Sequence, residues 1–107
     1  MAAIADAEVT ADVPLSPAAI ADFCRRHGVA KLSLFGSRSR GEHRPDSDLD
    51  LLVEFLPGQR VSLFTIGGMI MELRDLTGLD VDLRTANDLS KYFRDKVVRE
   101  ARQLYAA

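Results

Sequence analysis

Between Leu49 and Arg84 the hydrophobic period of the chain changes twice, and that change limits the folds open to it. Leu49 to Phe55 (LDLLVEF) is mostly apolar and reads as a buried strand. Pro57-Gly58 marks a turn. Val61 to Leu76 then follows a helical period, with Leu63, Ile66, Ile70, Leu73 and Leu76 on one stripe and Gly78 as its stop. Leu79 to Arg84 returns to a short strand. A strand, a crossover helix and a second strand predict a parallel pair joined right-handedly, because a two-residue turn cannot connect parallel strands.

The flanking elements fit around that unit. Ser16 is a suitable N-cap, Pro17 suits the first helical position, and Gly28 is placed to close a helix whose apolar face carries Ile20, Phe23 and Cys24. Lys31 to Phe35 alternates as a short strand ending at Gly36. Ser37 to Ser47 is a polar, Arg-rich loop, with room for a helical turn after Gly36. With only that loop between them, the first two strands are expected to run antiparallel. Asp88 to Tyr105 reads as helical, in two pieces. The expected fold is α/β (α+β), a small mixed sheet with helices packed on it.

At 107 residues the chain has one modest core. Residues 1–15 are expected to form a loose tail and 16–107 the domain. The first residues carry acids early, with neither a basic leader nor a long apolar run, so they read as neither signal peptide nor anchor. One cysteine, Cys24, allows no internal disulfide, and the expected compartment is the cytoplasm. A formal net charge of -2 argues against an extended nucleic-acid surface.

The chemistry concentrates in LFGSRSRGEHRPDSDLDLLVE, Leu34 to Glu54. Asp48 and Asp50 flank Leu49 at the mouth of a strand. Period two puts both carboxylates on one face, roughly 7 Å of backbone apart. Two like charges there repel and resist desolvation, and a divalent cation relieves both costs. Asp80 and Asp82 share a face of the next strand. If that strand runs parallel, one of them joins Asp48 and Asp50 at the same sheet edge, where three carboxylates would hold two Mg²⁺ ions. Gly36 and Ser37 supply close backbone approach and a hydroxyl for phosphate, and Arg38, Arg40 and Arg44 add positive charge.

Gly36-Ser37, a ten-residue gap and Asp48-Leu49-Asp50 resemble the signature of the polymerase-β-type nucleotidyltransferase superfamily. The surrounding LFGSRSRGEHRPDSDLDLLVEF and the later VDLRT are similar to the minimal nucleotidyltransferases of bacteria and archaea, over about Ser16 to Tyr105. The resemblance implies a palm-like fold, with Asp48, Asp50 and Asp82 as metal-binding catalytic acids. It selects Asp82 over Asp80, because Val81-Asp82-Leu83 matches the late motif. It implies Gly36 and Ser37 as triphosphate contacts, with Arg38 matching the residue that usually follows them. It further implies Mg²⁺, ATP or another nucleoside triphosphate as substrate, and a HEPN-domain toxin as partner, with AMP passed to a tyrosine of that toxin. Two alternatives stand beside it: a contact-only antitoxin with a vestigial site, and a small-molecule nucleotidyltransferase. Homo- or hetero-oligomers are compatible with all three.

Other residues read as structural. Asp46-Ser-Asp48-Leu-Asp50 begins like a calcium loop, but Leu51 stands where glycine is needed and Pro57 where glutamate is needed. Asp46 reads as a loop cap, Asp80 as a solvated strand end, His27 as a helix-end group, His43 as exposed and Cys24 as core. Gly67-Gly68 inside a helix costs ~1 kcal/mol per glycine relative to alanine, which calls for a close helix contact within the chain or with a partner.

Overall fold

The computed structural model describes residues 13–38, 41, 44, 47–89 and 91–107, with Ser37 and residues 91–93 described through their backbone alone. Arg40, His43 and Asp46 lie outside the described residues, as do residues 1–12 of the expected tail.

Helix α1 (Pro17–Arg26) starts where Ser16 accepts a hydrogen bond from Ala19 N at 3.1 Å, with Pro17 at its first turn. Such a cap contributes about 1 kcal/mol. Ile20, Phe23 and Cys24 point inward, as their spacing predicts. Gly28, in the left-handed region at φ 67°, turns the chain into β1 (Val29–Phe35). A 3-10 turn (Gly36–Arg38) follows β1 and β2 is Leu49–Phe55. Helix α2 (Leu63–Thr77) opens on a capping box between Ser62 and Thr65 and ends at Gly78 with φ 72°. Strand β3 (Val81–Arg84), a 3-10 turn (Ala86–Asp88), helix α3 (Lys91–Glu100) and β4 (Arg102–Ala106) complete the order.

The sheet order is β3-β2-β1-β4. As expected, β1 and β2 are antiparallel and β2 and β3 parallel. The main core fills one face, where Leu32, Leu34, Leu49, Leu51, Val53 and Leu83 meet Phe23, Met69 and Leu73 of α1 and α2. Deleting a buried ring such as Phe23, fully excluded from solvent, costs about 3–5 kcal/mol. The other face carries a smaller cluster of Phe35, Leu89 and Val97, with Leu52 and Ala101 against it. The two helices on the main face are clasped by Glu72 of α2, which accepts from Arg26 Nη1 at 3.2 Å, from Arg26 Nη2, and shares a 2.9 Å hydrogen bond with His27 Nε2. His27 thus has the structural role its position implied, and its ring lies 4.6 Å from that of Phe23. Cys24 is core.

Four expectations change. Arg102 to Tyr105, read as helix, belongs to β4, which pairs antiparallel with β1 through Ser33↔Gln103 and Leu34↔Arg102. Tertiary pairing with an open sheet edge overrides the helix propensity of Arg-Gln-Leu. Val13 and Leu15, read as tail, are buried in the main core. On α2 the buried side is Met69 and Leu73 flanked by Ile66 and Ile70, whereas Leu63 and Leu76 are exposed. Finally, a methyl group on Gly67 or Gly68 would meet nothing within 4 Å, so no contact within the described chain requires glycine there.

Candidate active site

Two neighbouring strand ends bring the acids together. Asp50 of β2 and Asp82 of β3 are register partners in the parallel ladder, and Leu49 N donates to Asp80 O at 2.8 Å just before it. Leu49 and Leu83 turn into the main core. By the alternation of a strand, Asp50 and Asp82 therefore share the opposite face. Asp48 precedes β2, exposed, on the other side of the fully buried Leu49 from Asp50. Asp80 stands outside β3, with its side chain 75% exposed and 3.5 Å from Arg74, the solvated strand end anticipated for it.

β1 delivers the third component. Phe35 is the register partner of Asp50 on the other side, so the chain leaves β1 at Gly36 directly beside that acid. Gly36 holds φ 75°, and a Cβ built on it would collide with the Asp50 carboxylate. Only glycine meets both demands. Arg38 is 4% exposed and folds beneath the loop, donating from Nε and Nη2 to Ser47 O at 3.2 and 2.9 Å. It fastens the Gly36–Arg38 turn to the residue before Asp48, which fixes the spacing between the turn and the acids. Arg44, by contrast, is exposed.

Asp82 does not stand alone. Its Oδ1 accepts from Arg84 Nε at 2.9 Å, and that bond raises the Arg84 pKa. Arg84 follows Asp82 by two residues, a same-face spacing that was legible in Val81-Asp-Leu-Arg84. Among the described residues no three His, Cys, Asp or Glu side chains gather closely enough to cage a metal ion. The three expected carboxylates are thus brought to one end of the sheet without forming a protein-only cage. The donor set still fits a hard cation held the way Mg²⁺ usually is, by one or two carboxylates with phosphate oxygens completing the shell.

Farther along the sheet, a cavity of about 460 Å³ is lined by Ser33, Leu52, Glu54, Thr85, Val98 and Gln103 among others, with neither Asp50 nor Asp82 in its wall. Gln103, expected in a helix, reaches this wall as part of β4.

Three comparisons bear on this arrangement. Residues 18–105 match the family model described as Nucleotidyltransferase domain. Protein adenylyltransferase MntA of Thermococcus cleftensis is 39% identical over 75 residues, covering 70% of this chain and 74% of that protein. A candidate protein adenylyltransferase of Methanocaldococcus jannaschii is 38% identical over 76 residues, covering 71% of this chain and 80% of that one. Among solved structures, a toxin–antitoxin with AMP-PNP superposes with a TM-score of 0.69 at 26% identity, covering 87% of this chain and 75% of that chain.

Proposed function

The chain belongs to the nucleotidyltransferase domain family, and from that membership we propose that it transfers AMP from ATP to a hydroxyl of a partner protein, a tyrosine of a HEPN-type toxin. The observation that carries this reading is the meeting of Gly36, Asp50 and Asp82 at one end of the sheet. The backbone of the Gly36–Arg38 turn receives the triphosphate, since glycine at a positive φ lets the chain approach a phosphate closely. Asp48 and Asp50 would hold a Mg²⁺ accompanying it, which would supply charge neutralisation to the phosphates and the departing pyrophosphate. Asp82 stands beside the acceptor, where it takes the hydroxyl proton as the oxygen attacks the α-phosphorus. The cavity lined by Leu52, Glu54 and Thr85, farther along β2 and β3, leaves space for the acceptor segment.

Support for the protein substrate comes from the adenylyltransferase relatives, and support for a toxin from the toxin–antitoxin neighbour that holds AMP-PNP. The cytoplasm is the compartment proposed for this reaction. Incubating the chain with its partner, labelled ATP and Mg²⁺ tests the reading: the partner should become labelled, and Asp50→Asn should abolish the label.

A contact-only antitoxin is the second reading, favoured by one observation: Arg84 already neutralises Asp82. Tight partner binding without label from wild-type protein would select it.

A further inference from the structure

Helix α2 is apolar on two sides. Its inner side packs into the main core through Met69 and Leu73. On its outer side Phe64 is 93% exposed and Met71 66% exposed, with Gly67 and Gly68 between them. Spacings of three, four and seven put these four residues on one stripe. The glycine pair costs helix stability and nothing in the described chain occupies the space above it. What it offers is a shallow seat in which a second backbone approaches closely.

We propose that the occupant is the same helix of a second copy, crossing antiparallel about a two-fold axis at Gly67-Gly68. The sequence is self-complementary about that point. Phe64 and Met71 each stand three residues from the glycine pair, on opposite sides, so the two-fold axis lays each Phe64 on the other copy's Met71. Arg60, two residues before the Ser62 cap, and Asp75, in the last turn of α2, put opposite charges at the two ends of the helix, so the same axis brings each toward the opposite charge of the other copy. Both are exposed, and neither has an ion pair among the described residues. A surface depression of about 370 Å³ lined by Met71, Arg74 and Asp75 lies where the incoming Phe64 ring would seat. An isologous contact demands this reciprocity, and a surface shaped for an unrelated protein has no need of it.

The active face is left free. α2 covers the side of the sheet away from Asp50 and Asp82, so the pair presents two catalytic faces outward, each open to a separate partner. A single helix crossing buries less than the roughly 1,200 Å² at which stable interfaces begin, so the dimer forms with a strong concentration dependence.

Sedimentation of the whole chain over a wide concentration range tests this independently of catalysis. A reversible dimer is expected. Phe64→Asp should weaken it by ~30-fold or more, as loss of a central aromatic anchor does. With Phe64 93% exposed the substitution removes no core contact, and circular dichroism checks that the fold is retained. Asp75→Arg should weaken association, and Arg60→Asp combined with Asp75→Arg should restore it. A monomer at every concentration overturns the proposal, as does a dimer indifferent to Phe64→Asp or a charge swap that fails to recover. A monomeric wild type whose partner binding is lost in Phe64→Asp would give the face to that partner, and also overturn it.

Discussion

Gly36 lies so close to the carboxylate of Asp50 that one added methyl group would fill the space the carboxylate occupies. The relationship follows from the ladder: Phe35 pairs with Asp50, and the chain must turn away from β1 at the next residue. Its left-handed φ of 75° completes the turn at no cost for glycine. The turn proposed to face phosphate and the acid proposed to face metal are thereby held at contact distance.

Gly36→Ala tests that relationship. The left-handed conformation costs an L-residue roughly 1–2 kcal/mol, and the methyl must also displace Asp50. The variant should fold with a lowered melting temperature and lose transfer far beyond what that destabilisation explains. Calorimetry and a labelling assay on the same sample separate the two effects. A variant melting and labelling like wild type would sever the turn from the site.

Nucleotide binding gives a second expectation. Mg²⁺ with ATP should raise the melting temperature, as any ligand selective for the folded state does. Asp48→Asn or Asp50→Asn should remove most of that shift. Thermal scans with Mg²⁺ alone, ATP alone and both together check it, and no shift with any nucleotide would favour the contact-only reading.

Much of this arrangement was legible because it depends on period and spacing. Leu49 to Phe55 is the observed strand, and Asp50 meets Asp82 because a crossover helix of this length returns the chain parallel. What escaped depends on partners distant in sequence. Arg102 to Ala106 contains only one buried residue, Leu104, and no glycine or proline separates it from α3. Only the open edge of β1 makes it a strand. The stripe on α2 misled for a related reason: both sides of the helix are apolar, so Leu63 and Leu76 matched the period while facing solvent. For the site, spacing placed the acids but not the Arg84 bond that engages one of them.

The clasp between α1 and α2 makes stability depend on pH in a low window. The Arg26 guanidinium, with a smaller contribution from the His27 hydrogen bond, holds the Glu72 carboxyl at about 2, below its ordinary 4.5. A depressed carboxyl contributes stability fully above the unfolded value and loses it as pH falls toward the folded one. Glu72→Gln should therefore melt below wild type at pH 6, with the gap closing between about 4.5 and about 2. Melting curves across that range decide it, and a gap that stays constant with pH would show that the carboxylate charge is not what joins the helices.

The Arg84 bond separates two roles for Asp82. Arg84 Nε holds Asp82 Oδ1 at 2.9 Å, so a cation that recruits Asp82 must compete with a guanidinium already there. Removing the competitor by Arg84→Ala should lower the Mg²⁺ concentration needed for half-maximal transfer, since an opposing positive charge leaves the site. Asp82→Asn should differ from Asp50→Asn in the melting shift alone: it should leave the ATP-induced shift largely in place while cutting transfer ~100-fold or more, the loss expected when a positioned base is removed. Magnesium titrations of transfer for Arg84→Ala, beside thermal shifts and labelling for Asp82→Asn, measure both. Equal labelling by wild type and Asp82→Asn would assign removal of the hydroxyl proton to another group and direct attention to Asp80. An unchanged magnesium requirement in Arg84→Ala would mean that the arginine yields Asp82 at no cost, and that the bond does not restrain the site.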